Sequence, residues 1–287
     1  MKQLRNIQRN FQPHWVGDGF PVRSLFSYAG DVAATDPFLL LDYAEPFEFP
    51  PGTAPRGVGE HPHRGFETVT IVYQGELEHR DSAGNHGKIG PGDVQWMTAA
   101  SGVVHEEFHS AEFTKRGGMF EVAQLWVNLP AKLKMSAPRY QGILDRDIPQ
   151  VALVNGAGTA RIVAGELQGA RGPARTFTPI QLWDLRLSAG HTVELPLPDG
   201  FTTLLVVQHG VVQLDGSQTA RGVELAMFDR AGDAITIECQ EDAVALLLCG
   251  QPIGEPVVGQ GPFVMNSREE IRQATIDYQS GAMGSLS

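Results

Sequence analysis

The sequence predicts an all-β protein built as two jelly-roll β-barrels with a short C-terminal helix, and three observations carry that reading. β-branched runs of strand length recur between turn residues, as in Glu67-Thr-Val-Thr-Ile-Val-Tyr-Gln74 ahead of Gly75. The 33 Gly and 19 Pro among 287 residues are scattered without a period, the composition of many short strands joined by turns. Finally, the cadence of the first half returns in the second. Thr203-Leu-Leu-Val-Val-Gln-His-Gly210 is followed by a run to Gly216, by Gly232-Asp233 and by Ala243-Val-Ala-Leu-Leu-Leu-Cys249. Gly75 matches Gly210, and Gly92-Asp93 matches Gly232-Asp233, so the repeat makes two barrels of one.

Taken in chain order, Lys2, Arg5 and Arg9 open the sequence, but Asn6, Gln8, Asn10 and Gln12 interrupt any apolar stretch of the kind a secretory leader needs. Past the 67–74 strand come Glu76-Leu-Glu-His-Arg80 and the turn Asp81–Asn85. Strands are then predicted at Val94–Thr98, Val103–His109 and Glu121–Leu129. Leu129–Gln150, rich in Pro and mixed charge, reads as the crossover, which sets the expected domains at 1–135 and 136–287. At the end, Ser267-Arg-Glu-Glu270 is a capping box, and Ile271, Ala274 and Tyr278 at i, i+3 and i+7 define one face of a helix assigned to the second domain.

A formal charge of -11 and the lack of a basic stripe oppose direct binding to a phosphate backbone. No apolar run is long enough to span a bilayer as a helix, and the expected location is the cytoplasm. Cys239 and Cys249 are too few for a disulfide framework and lie in apolar strand-like runs, so they are expected to be reduced packing residues.

The chemistry concentrates in two pairs, His61-Pro62-His63 and His105-Glu106-Glu107. Residues two apart on a strand point to one face, so each pair can present both members to one ion. Parity groups His105, Glu107 and His109 against Val104, Glu106 and Phe108, which favours Glu107 over Glu106 as the carboxylate. Glu67 is a rival if the strand runs straight through Arg64-Gly65, in which case it faces inward with Val69, Ile71 and Tyr73; its alternative role is to orient a ligating imidazole. His109, about 13 Å beyond His105 along an extended strand, falls at the mouth or floor of the pocket. His14, His79, His86, His191 and His209 lack partners at ligand spacing and read as ordinary surface or core histidines. The repeat supplies a control. It sets His61 and His63 against Pro196 and Pro198, and His105 and Glu107 against Ala245 and Leu247, so the second copy has no ligand set.

Three imidazoles and one carboxylate suit Fe, Mn, Co, Ni or Cu better than a closed structural zinc site, and on an octahedral ion they leave two positions open. Val69, Ile71 and Tyr73, with Trp96 or Met97, are expected to line an apolar, aromatic-tolerant cavity, although each also reads as plain barrel core.

At these residues the chain resembles the pirin family of the cupin superfamily. The resemblance lies in His61-Pro-His-Arg-Gly-Phe-Glu-Thr-Val-Thr70, Pro91-Gly-Asp-Val-Gln-Trp-Met-Thr-Ala99, Gly102-Val-Val-His105, Leu125-Trp-Val-Asn-Leu129 and Gly261-Pro-Phe-Val-Met-Asn266, and it covers nearly the whole chain. It implies a bicupin whose N-terminal barrel holds one divalent transition metal through residues matching His61, His63, His105 and Glu107. Fe(II) comes first, with Mn, Co, Ni, Cu or Zn as alternatives. Compared with the wider cupin pattern, the carboxylate has moved from the first motif, where Glu67 sits, to the second, and the loop Pro50–Glu60 departs from it as well.

The function the resemblance implies is that of a quercetin 2,3-dioxygenase, which opens the central ring of flavonols with release of carbon monoxide, its partners being a small aromatic substrate and dioxygen. Glu107 is the expected catalytic base for the 3-hydroxyl proton. The rival is an iron-dependent regulatory or redox-sensing protein that acts through protein partners without turnover, and a third reading is a module that captures an enolic or catecholic metabolite unchanged.

Overall fold

The computed structural model describes residues 1–9 and 12–286. It is an all-β bicupin fold with the helix Arg268–Gln279 near its end.

The first compact unit comprises Gln12–Ala33, Phe38–Asp145 and the segment from Ile253 onward. It holds a seven-stranded antiparallel sheet in the spatial order Arg139–Ile143, Val94–Thr98, Phe66–Gln74, Gly118–Asn128, Phe38–Phe49, Phe20–Ser27 and His14–Val16. A four-stranded sheet in the order Gly57–His63, Val103–His109, Leu77–Asp81 and His86–Ile89 belongs to the same unit. Phe20, Phe49, Phe113, Phe120, Val72 and Val122 pack into its core. The second unit spans Arg146–Pro252 with Ala34–Pro37 and the N-terminal strand Leu4–Arg9. Its nine-stranded sheet runs through the long strands Thr202–Leu214 and Ala234–Gly250.

The division differs from the sequence expectation of 1–135 and 136–287: the crossover boundary falls between Asp145 and Arg146, Ala34–Pro37 belongs to the second unit, and each unit takes an end of the chain from the other half. Leu4–Arg9 completes the edge of the second unit by pairing with Glu224–Phe228. The helix Arg268–Gln279 belongs to the first unit, where Ile271 and Ala274 pack with Val104, Phe263, Met265 and Met283. An edge strand and an amphipathic helix bury their apolar faces wherever a complementary surface lies, whatever their place in the chain.

The helix starts as its capping signal requires. Ser267 accepts from the Glu270 amide, and Glu270 reaches back to the Asn266 amide at 3.0 Å. Ile271 and Ala274 are buried, whereas Tyr278 stays 39% exposed at the rim of that face. In the second unit Ala245, Leu247, Cys239 and Cys249 are all part of one packed core. Burial pushes the Cys249 thiol up to about 11, and both cysteines are free thiols. Among the described residues no helix is long and apolar enough to cross a membrane.

Candidate metal centre

The centre is assembled where the chain passes from one sheet of the first unit to the other. Gly57–His63 and Val103–His109 are antiparallel, with His61 directly opposite His105 and His63 opposite Val103. A register shift between His105 and Glu107 sets Glu107 opposite Val58, a bulge that turns the strand beside the site. The rings of His61, His63 and His105 lie 4.2–4.8 Å apart between centroids, and one ring nitrogen from each falls within 4.8 Å of the others. Glu107 joins His105 in a second, overlapping group with His79.

Hydrogen bonds fix how each imidazole presents itself. Carbonyl oxygens only accept, so Nδ1–H of His61 donates to Gly59 O at 2.8 Å, and Nδ1–H of His63 donates to Pro262 O at 3.3 Å. Each therefore keeps its Nε2 lone pair free. His105 Nε2 is buried with no hydrogen-bond partner, an orphaned atom beside the other two rings. Burial, reinforced by the neighbouring imidazoles, holds His63 and His105 well below the ordinary histidine range, so both are neutral. Two neutral imidazoles, those of His63 and His105, grouped with that of His61, are suited to a metal ion, which needs unprotonated ligands.

His79, set aside by the sequence reading for want of a partner, is drawn in by the fold. It sits opposite Glu107, with Asp81 opposite His105. Asp81 accepts from the amides of Ala83 and Asn85 and from Asn85 Nδ2, and it faces His79 Nε2 at 3.2 Å. The carboxylate makes Nε2 the protonated nitrogen of His79, so its Nδ1 accepts from Gln95 Nε2 at 3.3 Å and from His105 Nδ1–H at 3.4 Å. With both nitrogens engaged, His79 serves as support: it sets the His105 tautomer and leaves Nε2 of His105 as the free atom. The side chain of Tyr140, from the crossover, stacks on His79 at 5.2 Å and donates to Gln95. The signal for His79 was its alternation with exposed Glu78 and Arg80, but its partner lies on a strand more than twenty residues away.

Glu107 is held by Gln95 Nε2 at 3.0 Å, Thr70 Oγ1 at 3.3 Å and Gln124 Nε2 at 3.4 Å. Glu106 points to the opposite face and pairs with Arg80, as strand parity requires. Parity fails for Glu67. Gly65, at φ +90°, breaks the chain between His63 and Phe66 and carries it from the four-stranded sheet to the seven-stranded one. Thr70 and Val72 consequently face inward, while Glu67, Val69, Ile71 and Tyr73 turn to the other face; Glu67 accepts from Thr98 Oγ1 at 2.7 Å. His109 lies among Phe20, Phe49, Phe113 and Phe120 and donates from Nε2 to Gly19 O at 3.0 Å, a core histidine that belongs to neither ligand group.

The C-terminal segment braces this centre. Pro262 orients His63, while Arg64 donates from Nε to Ser101 O at 2.6 Å and pairs with Asp277 on the helix at 2.7 Å. Buried Lys134 donates to Gly65 O, Asn128 Oδ1 and Val264 O.

A cavity of about 380 Å³ opens onto His61, His63 and Glu107 between Phe20, Val122 and Trp126. A larger one of about 740 Å³ lies outside, along Glu78, Arg80, Lys88 and Glu106. Its charges are engaged in mutual pairs such as Arg80–Glu106 and Lys88–Glu112, and His79 and His109 also border it.

Fold and site together define a two-module cupin with a histidine-rich centre in one module. Residues 19–127 match the family model Pirin, and 182–284 match that of the Pirin C-terminal cupin domain. The chain belongs to the pirin family. It is 54% identical over 281 residues, 98% of each chain, to a Pseudomonas aeruginosa protein named "Putative quercetin 2,3-dioxygenase". It is 36% identical to human Pirin over 255 residues, 87% of this chain and 83% of that one. A crystal structure of quercetin 2,3-dioxygenase from Acinetobacter baumannii superimposes with a TM-score of 0.97 at 49% identity, covering 100% of both chains.

Proposed function

We propose that this protein is a metal-dependent dioxygenase that opens the central ring of flavonols such as quercetin, with His61, His63, His105 and Glu107 as the metal-binding set. One observation carries the reading: His61, His63 and the tethered Glu107 line a mostly apolar cavity of about 380 Å³, and His105 falls in one ligand group with the two histidines and in another with Glu107. The names of the relatives support the substrate class. A divalent transition metal, Fe(II) first and Mn, Co, Ni, Cu or Zn as alternatives, supplies Lewis-acid and one-electron chemistry when bound.

The chain's own residues do the rest. Phe20, Val122 and Trp126 take the flat aromatic rings and exclude water. Glu107 accepts the 3-hydroxyl proton as general base, its position set by Gln95, Thr70 and Gln124. The flavonolate and dioxygen then give the ring-opened ester with loss of carbon monoxide, both oxygen atoms entering the products.

The test is oxygen uptake and carbon monoxide release with quercetin, set beside metal analysis of protein purified without added metal. The expected result is turnover that tracks metal content and vanishes in His61→Ala. Metal-replete protein that consumes no oxygen with flavonols refutes the proposal.

A further inference from the structure

The inner face of the seven-stranded sheet carries a polar row of which the chemistry above uses only part. Across the strands, Gln95 stands opposite Thr70, Thr70 opposite Gln124, Gln124 opposite Asp42, and Asp42 opposite Ser24. Gln95, Thr70 and Gln124 all reach Glu107. Asp42 has a different environment. It lines the cavity with Phe20, Val22 and Val122, and its carboxylate accepts a hydrogen bond from Ser24 Oγ at 2.5 Å.

Asp42 accepts one hydrogen bond, from Ser24, and has His14 nearby; a carboxylate with acceptor sites to spare in a mostly apolar wall is costly, and burial pushes its carboxyl above the usual range. A ligand that brings a donor offsets that cost. A cationic donor is disfavoured beside a bound divalent metal, whereas a neutral phenolic hydroxyl is not. Strands lie about 4.8 Å apart, which puts Asp42 about 5 Å from Gln124 and about 10 Å from Thr70, the reach of one aryl ring beyond a group held at Glu107.

We infer that Asp42 is a specificity residue that accepts a hydrogen bond from a hydroxyl on the pendant aryl ring of the ligand, so that the cavity selects polyhydroxylated flavonols over bare ones. The assignment rests on the flavonol reading proposed above.

Calorimetric titration of metal-loaded protein tests it with two ligands: quercetin, and galangin, which has the same skeleton without hydroxyls on the pendant ring. A hydrogen bond to a charged acceptor gives the wild type a preference for quercetin of roughly tenfold to a hundredfold. Asp42→Ala brings quercetin down to the affinity of galangin and leaves galangin unchanged. Asp42→Asn, which keeps an acceptor oxygen and the shape of the wall, retains a reduced preference and serves if the alanine variant fails to fold. A preference that persists undiminished in both variants, or an equal loss for both ligands, overturns the role of Asp42 while leaving the flavonol reading intact. Wild-type protein that binds neither ligand overturns both.

Discussion

Replacing His79 with Phe isolates the support of the metal centre from the ligands themselves. Phe preserves the ring that stacks on Tyr140 but removes the acceptor that faces His105 Nδ1 at 3.4 Å. His105 is fully buried, so its Nδ1–H is left without a partner in a place water does not reach. A buried group so stranded costs about 1–3 kcal/mol, and loss of outer support of this type weakens metal affinity by about 10–100-fold. Competition against a chromophoric chelator measures that affinity directly, and the thermal unfolding midpoint of the metal-free variant reports the fold. His79→Gln offers an amide oxygen to the same N–H and should recover part of the loss. A folded His79→Phe protein that binds metal within about threefold of the wild type refutes the tautomer argument.

Glu107→Gln should retain the metal, since the three histidines remain, while quercetin turnover falls by about 10²–10⁴-fold; a metal-replete variant of undiminished rate rules out the base assignment. Gly65→Ala should destabilise the protein by several kcal/mol and lower metal content, because a Cβ there would lie 2.0 Å from Val264 O and the φ of +90° is strained for any L side chain; an unchanged denaturation midpoint speaks against it. For Glu76, burial by itself raises the carboxyl, but hydrogen bonds from Lys88, Ser110 and Arg116 prevail and hold it down to about 2. The folded value lies below the unfolded one, so its stabilisation is present above about pH 4.5 and fades as pH falls toward 2. Glu76→Gln should therefore cost about 2 kcal/mol at pH 7 and progressively less in acid, and a pH-independent difference contradicts the pairing.

The sequence determined on its own whatever depends on neighbours along the chain. Two-residue spacing along a strand grouped His61 with His63 and turned Glu107 toward Gln95 and Glu106 toward Arg80, and the capping box placed the start of the last helix. The repeat set Ala245 and Leu247 against His105 and Glu107, and both are buried in the core of the second unit.

Tertiary structure decided what depends on which strands become neighbours. Alternation extrapolated across Gly65 gave Glu67 the wrong face, because one residue at positive φ resets the parity and starts a strand in another sheet. His79 gained its place beside His105 from a register between 77–81 and 103–109, and the terminal helix packs in a cluster that draws Val104 from more than 160 residues earlier in the chain. Side-chain alternation is a local rule that one turn can break. Sheet pairing and the burial of amphipathic faces are settled only when distant segments compete for the same surface, and no single stretch of sequence contains that competition.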